Sequence, residues 1–137
     1  MDAYVDSSVV LRVILGEPGR LSSWTRIDRG VSSELLRLEC LRTIDRARIR
    51  LRLEDSVVAR YRADVHEACE ALTIVPIDTA VLTRASAPFP TLVGSLDAIH
   101  LASALLVRDT FDGLVLATHD AQLAVAARAE GFEVHDA

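Results

Sequence analysis

A chain of 137 residues, of which 50% are hydrophobic and 26% charged, is long enough for one globular domain over residues 1–137. This composition excludes a disordered protein, and the formal net charge of −5 argues against a general nucleic-acid-binding protein. Nor is any apolar segment long enough, without charges, to span a bilayer.

The N-terminal stretch predicts a buried strand followed by a helix. Ala3–Val5 is a short apolar run, and Val9–Leu15 forms the body of the helix, with Ser7 or Ser8 as its N-cap. Asp6 therefore lies at the carboxyl end of the first strand, the edge where open parallel sheets bind ligands. The stretch has no basic region and no long apolar run, so we expect a cytoplasmic rather than a secreted protein.

The next part of the chain is predicted to be mainly helical. The predicted elements are a short amphipathic helix Leu21–Asp28, a brief strand or turn Gly30–Ser33, and two long helices, Glu34–Arg50 and Glu54–Leu72. The two long helices form a hairpin, in which Cys40 and Cys69 show no metal-ligand spacing. We expect both cysteines to be reduced core residues.

The predicted hairpin is basic although the whole chain is acidic. Eight arginines and four acidic residues lie between Leu36 and Arg62, so this segment carries +4 and the rest of the chain −9. A basic strip on an acidic body indicates either a track for phosphates or a solvated hairpin with ion-paired faces.

The second half of the chain alternates strands with helices. The predicted elements are a strand Thr73–Ile77, a helix from Thr79 capped by Asp78, a loop at 87–91, an apolar helix near Leu96, a strand Leu114–Ala117, a helix Ala121–Glu130 and a strand Phe132–Val134. This alternation predicts an α/β fold with a parallel sheet and helices on both faces.

The apolar helix near Leu96 begins with an acidic residue. Ser95 is predicted to cap its first turn, and Asp97 lies where the helix dipole favours an anion. Asp97 is therefore either a stabiliser of the helix end or part of a site. For His100, one turn later, we expect a packed histidine with one hydrogen bond rather than a metal ligand, which would favour zinc.

Acidic residues recur at structurally equivalent places. Asp6 and Asp120 end predicted strands, and the strand ends of a parallel sheet meet at one edge, so these two should be neighbours. Close ionised carboxylates repel by up to ~4 kcal/mol per pair, which a divalent cation removes. All-oxygen ligands suit Mg²⁺ or Mn²⁺, which activate water at a phosphodiester. Glu39, on the margin of a helical stripe, is either part of this cluster or a solvated residue paired with Arg42.

Four stretches carry a resemblance to a known family. They are Asp6–Ser8, Ser33–Arg42, Leu96–Ala102 and Ala117–Asp120. In order and spacing they resemble the motifs of PIN-domain ribonucleases, and most closely those of the VapC toxins of VapBC toxin–antitoxin systems. The resemblance implies an α/β/α sandwich with a central parallel sheet and a catalytic acidic pocket formed by Asp6, Glu39, Asp97 and Asp120. In that pocket Asp6, Asp97 and Asp120 would bind Mg²⁺ or Mn²⁺.

The resemblance also implies supporting residues, a reaction and partners. Ser8 and Thr118 match hydroxyl residues that support the pocket, while Arg42 would contact substrate phosphate or hold the Glu39 carboxylate. Where the family often has an aromatic residue, this chain has His119. The implied reaction is endonucleolytic cleavage of RNA by metal-activated water. The implied partners are a VapB-type antitoxin that blocks the pocket, and a second copy of the chain. Glu34 competes with Glu39 for its role, but Glu39 matches the motif.

Two other functions are compatible with the acidic residues. A metal-dependent phosphatase would use Asp6 as a nucleophile, but the chain lacks a second acid two residues later and has no lysine to hold phosphate. A catalytically silent binding protein would use the acids to hold a structural cation or to stabilise helix ends. Loss of RNA cleavage in folded Asp6→Ala or Asp97→Ala proteins would exclude the silent protein.

Overall fold

The strands form a parallel sheet that extends in both directions from a central strand. In the computed structural model, which describes residues 1–136, the strands are β1 Asp2–Val5, β2 Arg29–Ser33, β3 Thr73–Val75, β4 Val115–Ala117 and β5 Val134–His135. They lie in the order β3-β2-β1-β4-β5, and all neighbouring pairs are parallel. The chain moves outward from β1 to β3 and then returns to the other side of β1. The order therefore reverses between β1 and β4, which makes their carboxyl ends a topological switch point.

Helices cover both faces of the sheet. They are α1 Ser7–Ile14, α2 Leu35–Leu51, α3 Asp55–Ala71, α4 Thr79–Ser86, α5 Ser95–Val107 and α6 Ala121–Ala129. Because side chains alternate along a strand, Tyr4 of β1 packs into the core with α4, α5 and α6, whereas Ala3 and Val5 pack against α1, α2 and α3. The predicted α/β/α sandwich is confirmed. None of the helices within residues 1–136 combines the length and apolar character needed to cross a bilayer.

Three predicted elements differ from the structure by two residues or more. One is the strand predicted at Thr73–Ile77, which ends at Val75. The helix predicted at Leu21–Asp28 is wrong: only Trp24–Arg26 forms a single 3₁₀ turn. The chain is already extended at Ile27, and the Asp28 N–H donates to the Met1 carbonyl at 2.8 Å as the chain enters the sheet. The last strand begins at Val134 instead of Phe132, because Phe132 is buried in the core before pairing with β4 begins.

The helix ends also differ in part from the predictions. Asp6 caps α1 instead of Ser7 or Ser8, and Gly94 precedes α5, so the predicted cap at Ser95 is wrong. Asp78 caps α4 as predicted, since its carboxylate accepts from the Val81 N–H at 3.0 Å. The two cysteines, predicted to be reduced, are both free.

Replacing the capping residue Asp78 with Ala should lower the free energy of unfolding by about 1 kcal/mol, because the Val81 N–H loses its acceptor. Asp78→Asn keeps a capping oxygen and should unfold within a few tenths of a kcal/mol of wild type. Urea denaturation of the three proteins measures the difference. Equal stability of the Ala and Asn variants would contradict a role for this cap.

Candidate active site

Asp6 marks the switch point between β1 and β4. It follows β1 directly, is 4% exposed, and begins α1 by accepting a hydrogen bond from the Val9 N–H at 3.3 Å. Thr118 follows β4 directly and is fully buried. The residue that ends the central strand thus also starts a helix, and this fixes a carboxylate at the edge where such sheets bind ligands.

Two hydroxyl groups hold the Asp6 carboxylate. Ser8 Oγ donates to Oδ1 at 2.5 Å, and Thr118 Oγ1 donates to Oδ2 at 2.6 Å. The same hydroxyl oxygens accept from the backbone of the other strand end: Ser8 from the His119 N–H and Thr118 from the Asp120 N–H, both at 2.9 Å. Both predicted supporting residues therefore lie against Asp6 and connect the ends of β1 and β4.

Asp120 and Asp97 lie at the beginnings of two helices near Asp6. Asp120 is exposed and caps α6 by accepting from the Leu123 N–H at 2.9 Å. Asp97 is half-buried in the first turn of α5. Burial raises the pKa of Asp97 to about 6, and the charge of Asp120 contributes to the rise. Asp6 and Glu39 raise the same pKa, so the four predicted acids lie within one electrostatic neighbourhood.

Glu39 is held by a residue from a different helix. It lies on α2 with 20% of its side chain exposed, and its Oε1 accepts from His100 Nε2 of α5 at 2.6 Å. His100 is 1% exposed, as predicted for a packed histidine, but it makes two hydrogen bonds instead of one. The second joins its Nδ1 to the Tyr4 hydroxyl at 2.7 Å. Tyr4 was not among the predicted site residues, although a tyrosine in a buried strand requires a polar partner for its hydroxyl.

The side chains of the cluster match a hard cation in chemistry but are not arranged as a set of ligands. Within residues 1–136, no three His, Cys, Asp or Glu side chains are grouped closely enough to hold a metal ion. Both oxygens of Asp6 bind hydroxyl groups, and Asp120 binds a helix N–H. The carboxylates nevertheless raise the pKa of Asp97 through their charges. This is the repulsion that Mg²⁺ or Mn²⁺ with oxygen ligands relieves, so the donor set fits such a cation.

Arg42 does not hold Glu39 in place. Its Nη1 pairs with Asp45 Oδ2 at 3.2 Å, while His100 occupies the Glu39 carboxylate. Of the two alternatives for Arg42, the contact with Glu39 is therefore excluded, and a contact with substrate phosphate stays a prediction. Glu34, the competing glutamate, accepts from the Ile77 N–H at 3.4 Å beyond the end of β3.

A cleft extends from Glu39 along α2. Its volume is about 270 Å³, and its lining consists of Ser7, Leu35, Leu38, Glu39, Arg42, Thr43, Arg46 and Leu96. A neighbouring cavity of about 560 Å³ shares Arg46 and adds Arg50. Because Arg42, Arg46 and Arg50 recur every four residues, they follow one face of the helix. Neither Arg46 nor Arg50 forms an ion pair with another residue in the range 1–136, so a positively charged path leads away from the acids.

His119 lies at the margin of the cluster. Burial and then the charge of Arg12 lower its pKa, so the ring is neutral at pH 7. Its Nε2 is buried and has no hydrogen-bond partner among the described residues. A substrate contact by His119 stays a prediction; in the structure its backbone N–H donates to Ser8 Oγ at 2.9 Å.

Three comparisons relate the chain to known proteins. The PIN domain family profile matches residues 3–132. Ribonuclease VapC47 of Mycobacterium tuberculosis (strain CDC 1551 / Oshkosh) is 30% identical over 136 residues, which cover 94% of this chain and 92% of that protein. A chain in the solved structure of a toxin-antitoxin complex from Klebsiella pneumoniae superimposes with a TM-score of 0.68 at 16% identity, over 93% of each chain. At that identity the structural match shows the fold.

The raised pKa of Asp97 predicts a pH dependence of stability. The folded protein binds this proton more tightly than the unfolded chain, so the contribution to stability is complete below about pH 4 and is lost as the pH rises through about 6. Asp97→Asn, which cannot ionise, should therefore gain about 1 kcal/mol relative to wild type between pH 4 and pH 7, after allowance for solvent screening of a half-buried group.

Urea unfolding in the presence of a chelator, at a series of pH values, measures this gain. Asp78→Asn is the matched control, because it makes the same change at a helix cap outside the acidic cluster. Its unfolding free energy should vary with pH in the same way as that of wild type. If the difference in unfolding free energy between wild type and Asp97→Asn stayed constant across this pH range, the electrostatic coupling of the cluster would be contradicted.

Proposed function

This chain belongs to the PIN domain family, and on that premise we propose that it is an endoribonuclease toxin of a type II toxin–antitoxin system. The observation that carries the proposal is that four carboxylates lie near the switch point. Their proximity is seen in the pKa of Asp97, which the charges of Asp120, Asp6 and Glu39 help to raise. The relative that is 30% identical over most of the chain is named a ribonuclease, which supports the same reaction class.

We assign catalysis to Asp6, Glu39, Asp97 and Asp120, and metal binding to Asp6, Asp97 and Asp120. Bound Mg²⁺ or Mn²⁺ would activate water and stabilise the charge that develops on the phosphodiester. In the overall hydrolysis, the oxygen of water bonds to phosphorus as one P–O ester bond breaks, and the leaving oxygen takes up a proton.

The other residues orient this cluster. Ser8 and Thr118 donate to both oxygens of Asp6 and thereby fix the plane of its carboxylate. Glu39 lines the cleft, and there it would orient water beside the scissile phosphodiester. The pocket is built from strand ends and helix beginnings, which are rigid elements and hold catalytic groups more accurately than loops.

The cleft along α2 is our proposed path for the RNA strand. Single-stranded RNA is bound chiefly through its phosphates, and Arg42, Arg46 and Arg50 follow one another at a rise of about 6 Å along the helix axis. Arg42 is partly neutralised by Asp45 in the free protein and would exchange this partner for phosphate. The path ends at Glu39, so a strand bound along it would bring a phosphodiester to the acids.

Partners and location complete the proposal. A VapB-type antitoxin is the proposed inhibitor: the relative is named VapC47, and the solved structure with this fold is a toxin-antitoxin complex. A homodimer is proposed from the family resemblance alone. The free cysteines Cys40 and Cys69 support a cytoplasmic location, where thiols stay reduced. We assign the whole chain, residues 1–137, to the domain, since the family profile covers residues 3–132.

Purified protein should cut RNA from a mixed cellular pool into discrete fragments in Mg²⁺ or Mn²⁺ and should not cut it in chelator. Asp97→Asn should cleave ~10²-fold or more slowly, because the cluster loses one anionic ligand without losing helix α5. Fragment mapping and initial rates measure both effects. Asp78→Asn, purified in parallel, controls for contaminating nuclease and for the chemical change itself.

The same assay separates the other functions. Absence of cleavage by wild type, with Mn²⁺ still binding to the folded protein, would favour a catalytically silent binding protein. Turnover of a phosphomonoester without RNA cleavage would favour a phosphatase. Cleavage that persists at the wild-type rate in Asp97→Asn would refute our assignment of the site.

Neutralising the path along α2 should weaken RNA binding. The triple variant Arg42→Gln, Arg46→Gln, Arg50→Gln should lower affinity for single-stranded RNA, and should reduce the slope of log affinity against log salt by about two, since each phosphate contact contributes roughly 0.7. Fluorescence anisotropy in the non-cleaving Asp97→Asn background measures both quantities across a salt series.

The matched control removes three arginines elsewhere. Arg20, Arg26 and Arg128 are exposed and lie outside α2, so their replacement by Gln makes the same change in net charge without touching the cleft. In this control, the slope of log RNA affinity against log salt concentration should stay close to that of the Asp97→Asn protein. Equal loss in both triple variants would show that net charge, and not the path along α2, attracts RNA.

A further inference from the structure

A chain of hydrogen bonds crosses the core and ends at the acidic cluster. It joins the Tyr4 hydroxyl to His100 Nδ1 at 2.7 Å, and His100 Nε2 to Glu39 Oε1 at 2.6 Å. Its three members come from β1, α5 and α2, and the rings of Tyr4 and His100 meet edge to face with centroids 5.9 Å apart. We refer to this set as the Tyr4–His100–Glu39 relay.

Burial of the polar atoms of Tyr4 and His100 lowers the free energy of unfolding relative to an apolar core at the same place. Tyr4 is 0% exposed and His100 is 1% exposed, among side chains such as Leu101 and Leu116. Burial removes the hydration of polar groups, and this loss of free energy is offset only when every donor and acceptor finds a hydrogen-bond partner in the protein. Apolar residues of similar volume would therefore stabilise the core as well or better. The pairing therefore indicates a task at the exposed end of the relay, which is Glu39.

The direction of the hydrogen bonds follows from the groups at the two ends. The Glu39 carboxylate can only accept, so His100 Nε2 carries the hydrogen that it donates. A ring that carries its one hydrogen on Nε2 has a lone pair at Nδ1, which accepts from the Tyr4 hydroxyl. The Glu39 carboxylate thus selects the tautomer of His100, and the hydrogen bond from Tyr4 holds the ring in the orientation that directs Nε2 at Glu39.

We propose that Tyr4 and His100 are positioning residues, which act through Glu39 by fixing its carboxylate at the mouth of the cleft. Glu39 is 20% exposed at the mouth of the cleft, and without the bond from His100 its three side-chain torsions would allow several positions there. A fixed carboxylate at the cleft orients water or substrate without reorganisation during the reaction. This inference rests on the proposed function, because it assigns Glu39 a role in the cleavage of RNA.

Two substitutions of His100 distinguish positioning from packing. The amide of Gln reaches the place of Nε2 and can still donate to Glu39, whereas the shorter amide of Asn reaches the place of Nδ1 beside Tyr4. His100→Gln should therefore retain kcat within a few-fold of wild type, and His100→Asn should lose 10- to 100-fold in kcat with KM nearly unchanged. A structural role alone would make the two variants lose activity in parallel with their stability.

Tyr4→Phe keeps the ring and removes only the hydroxyl, so it provides a variant that folds if His100→Asn does not. It should lower kcat about 10-fold at unchanged KM, because the His100 ring loses the hydrogen bond that holds its orientation towards Glu39. In the Glu39→Gln background, the same substitution should cause no further loss in single-turnover rate. The matched controls are His66→Gln and His66→Asn, since His66 is exposed on α3 and, within residues 1–136, its ring nitrogens have Arg37 and Glu70 as polar partners.

Cleavage by wild type and its loss in Asp97→Asn are the reference measurements, and their failure would refute the proposed function separately from the relay. Nitrogen NMR of ring-labelled histidine tests the relay without catalysis. We expect hydrogen on Nε2 and none on Nδ1 of His100 in wild type, and the same tautomer in Tyr4→Phe with the Nδ1 signal shifted by the loss of its hydrogen bond. Hydrogen on Nδ1 in wild type, equal losses in the His100 variants, or full activity of Tyr4→Phe would each overturn the inference.

Discussion

The burial of the Asp6 carboxylate is the constraint on which the site depends. A carboxylate that is 4% exposed is stable only if hydrogen bonds replace its lost hydration. The backbone of α1 and the hydroxyls of Ser8 and Thr118 provide those bonds, and the two hydroxyls also bind the backbone beyond β4. The same hydrogen bonds therefore stabilise the Asp6 anion and join the ends of β1 and β4 at the switch point. That is why the site is rigid before any ligand binds.

Charge is distributed so that the acids and the arginines have different partners. The carboxylates of the cluster repel one another, which favours either protonation of Asp97 or a bound cation. Arg42, Arg46 and Arg50 of α2 line the adjoining cavities, where they would attract the phosphates of the proposed substrate. An acidic chain can thus bind a polyanion locally, because the field near α2 is set by nearby guanidinium groups and is screened from more distant acids. Net charge alone would have argued against RNA as a substrate.

Most of the fold could be predicted because it follows from local patterns. Alternation of apolar runs with helical stripes indicates parallel strands joined by helices, and Asp78 caps a helix as its position suggested. The errors occur where two local preferences compete. The stretch Leu21–Asp28 has helical periodicity, but the chain must become extended to enter β2, and only one 3₁₀ turn remains. At α1, Asp6 outcompetes Ser7 and Ser8 as the cap because it is also the residue at the strand end.

The order of strands and helices, the acids at strand and helix ends, and the basic segment of the hairpin could all be predicted from the amino-acid sequence. Each of these depends on residues close together in the chain. The partner that holds Glu39, in contrast, depends on the tertiary fold. Its neighbour Arg42 was the local candidate, but Glu39 accepts a hydrogen bond from His100, 61 positions away. His100 in turn binds Tyr4, which precedes it by 96 positions. Such contacts depend on how α2 and α5 pack around β1, and no local pattern encodes that packing.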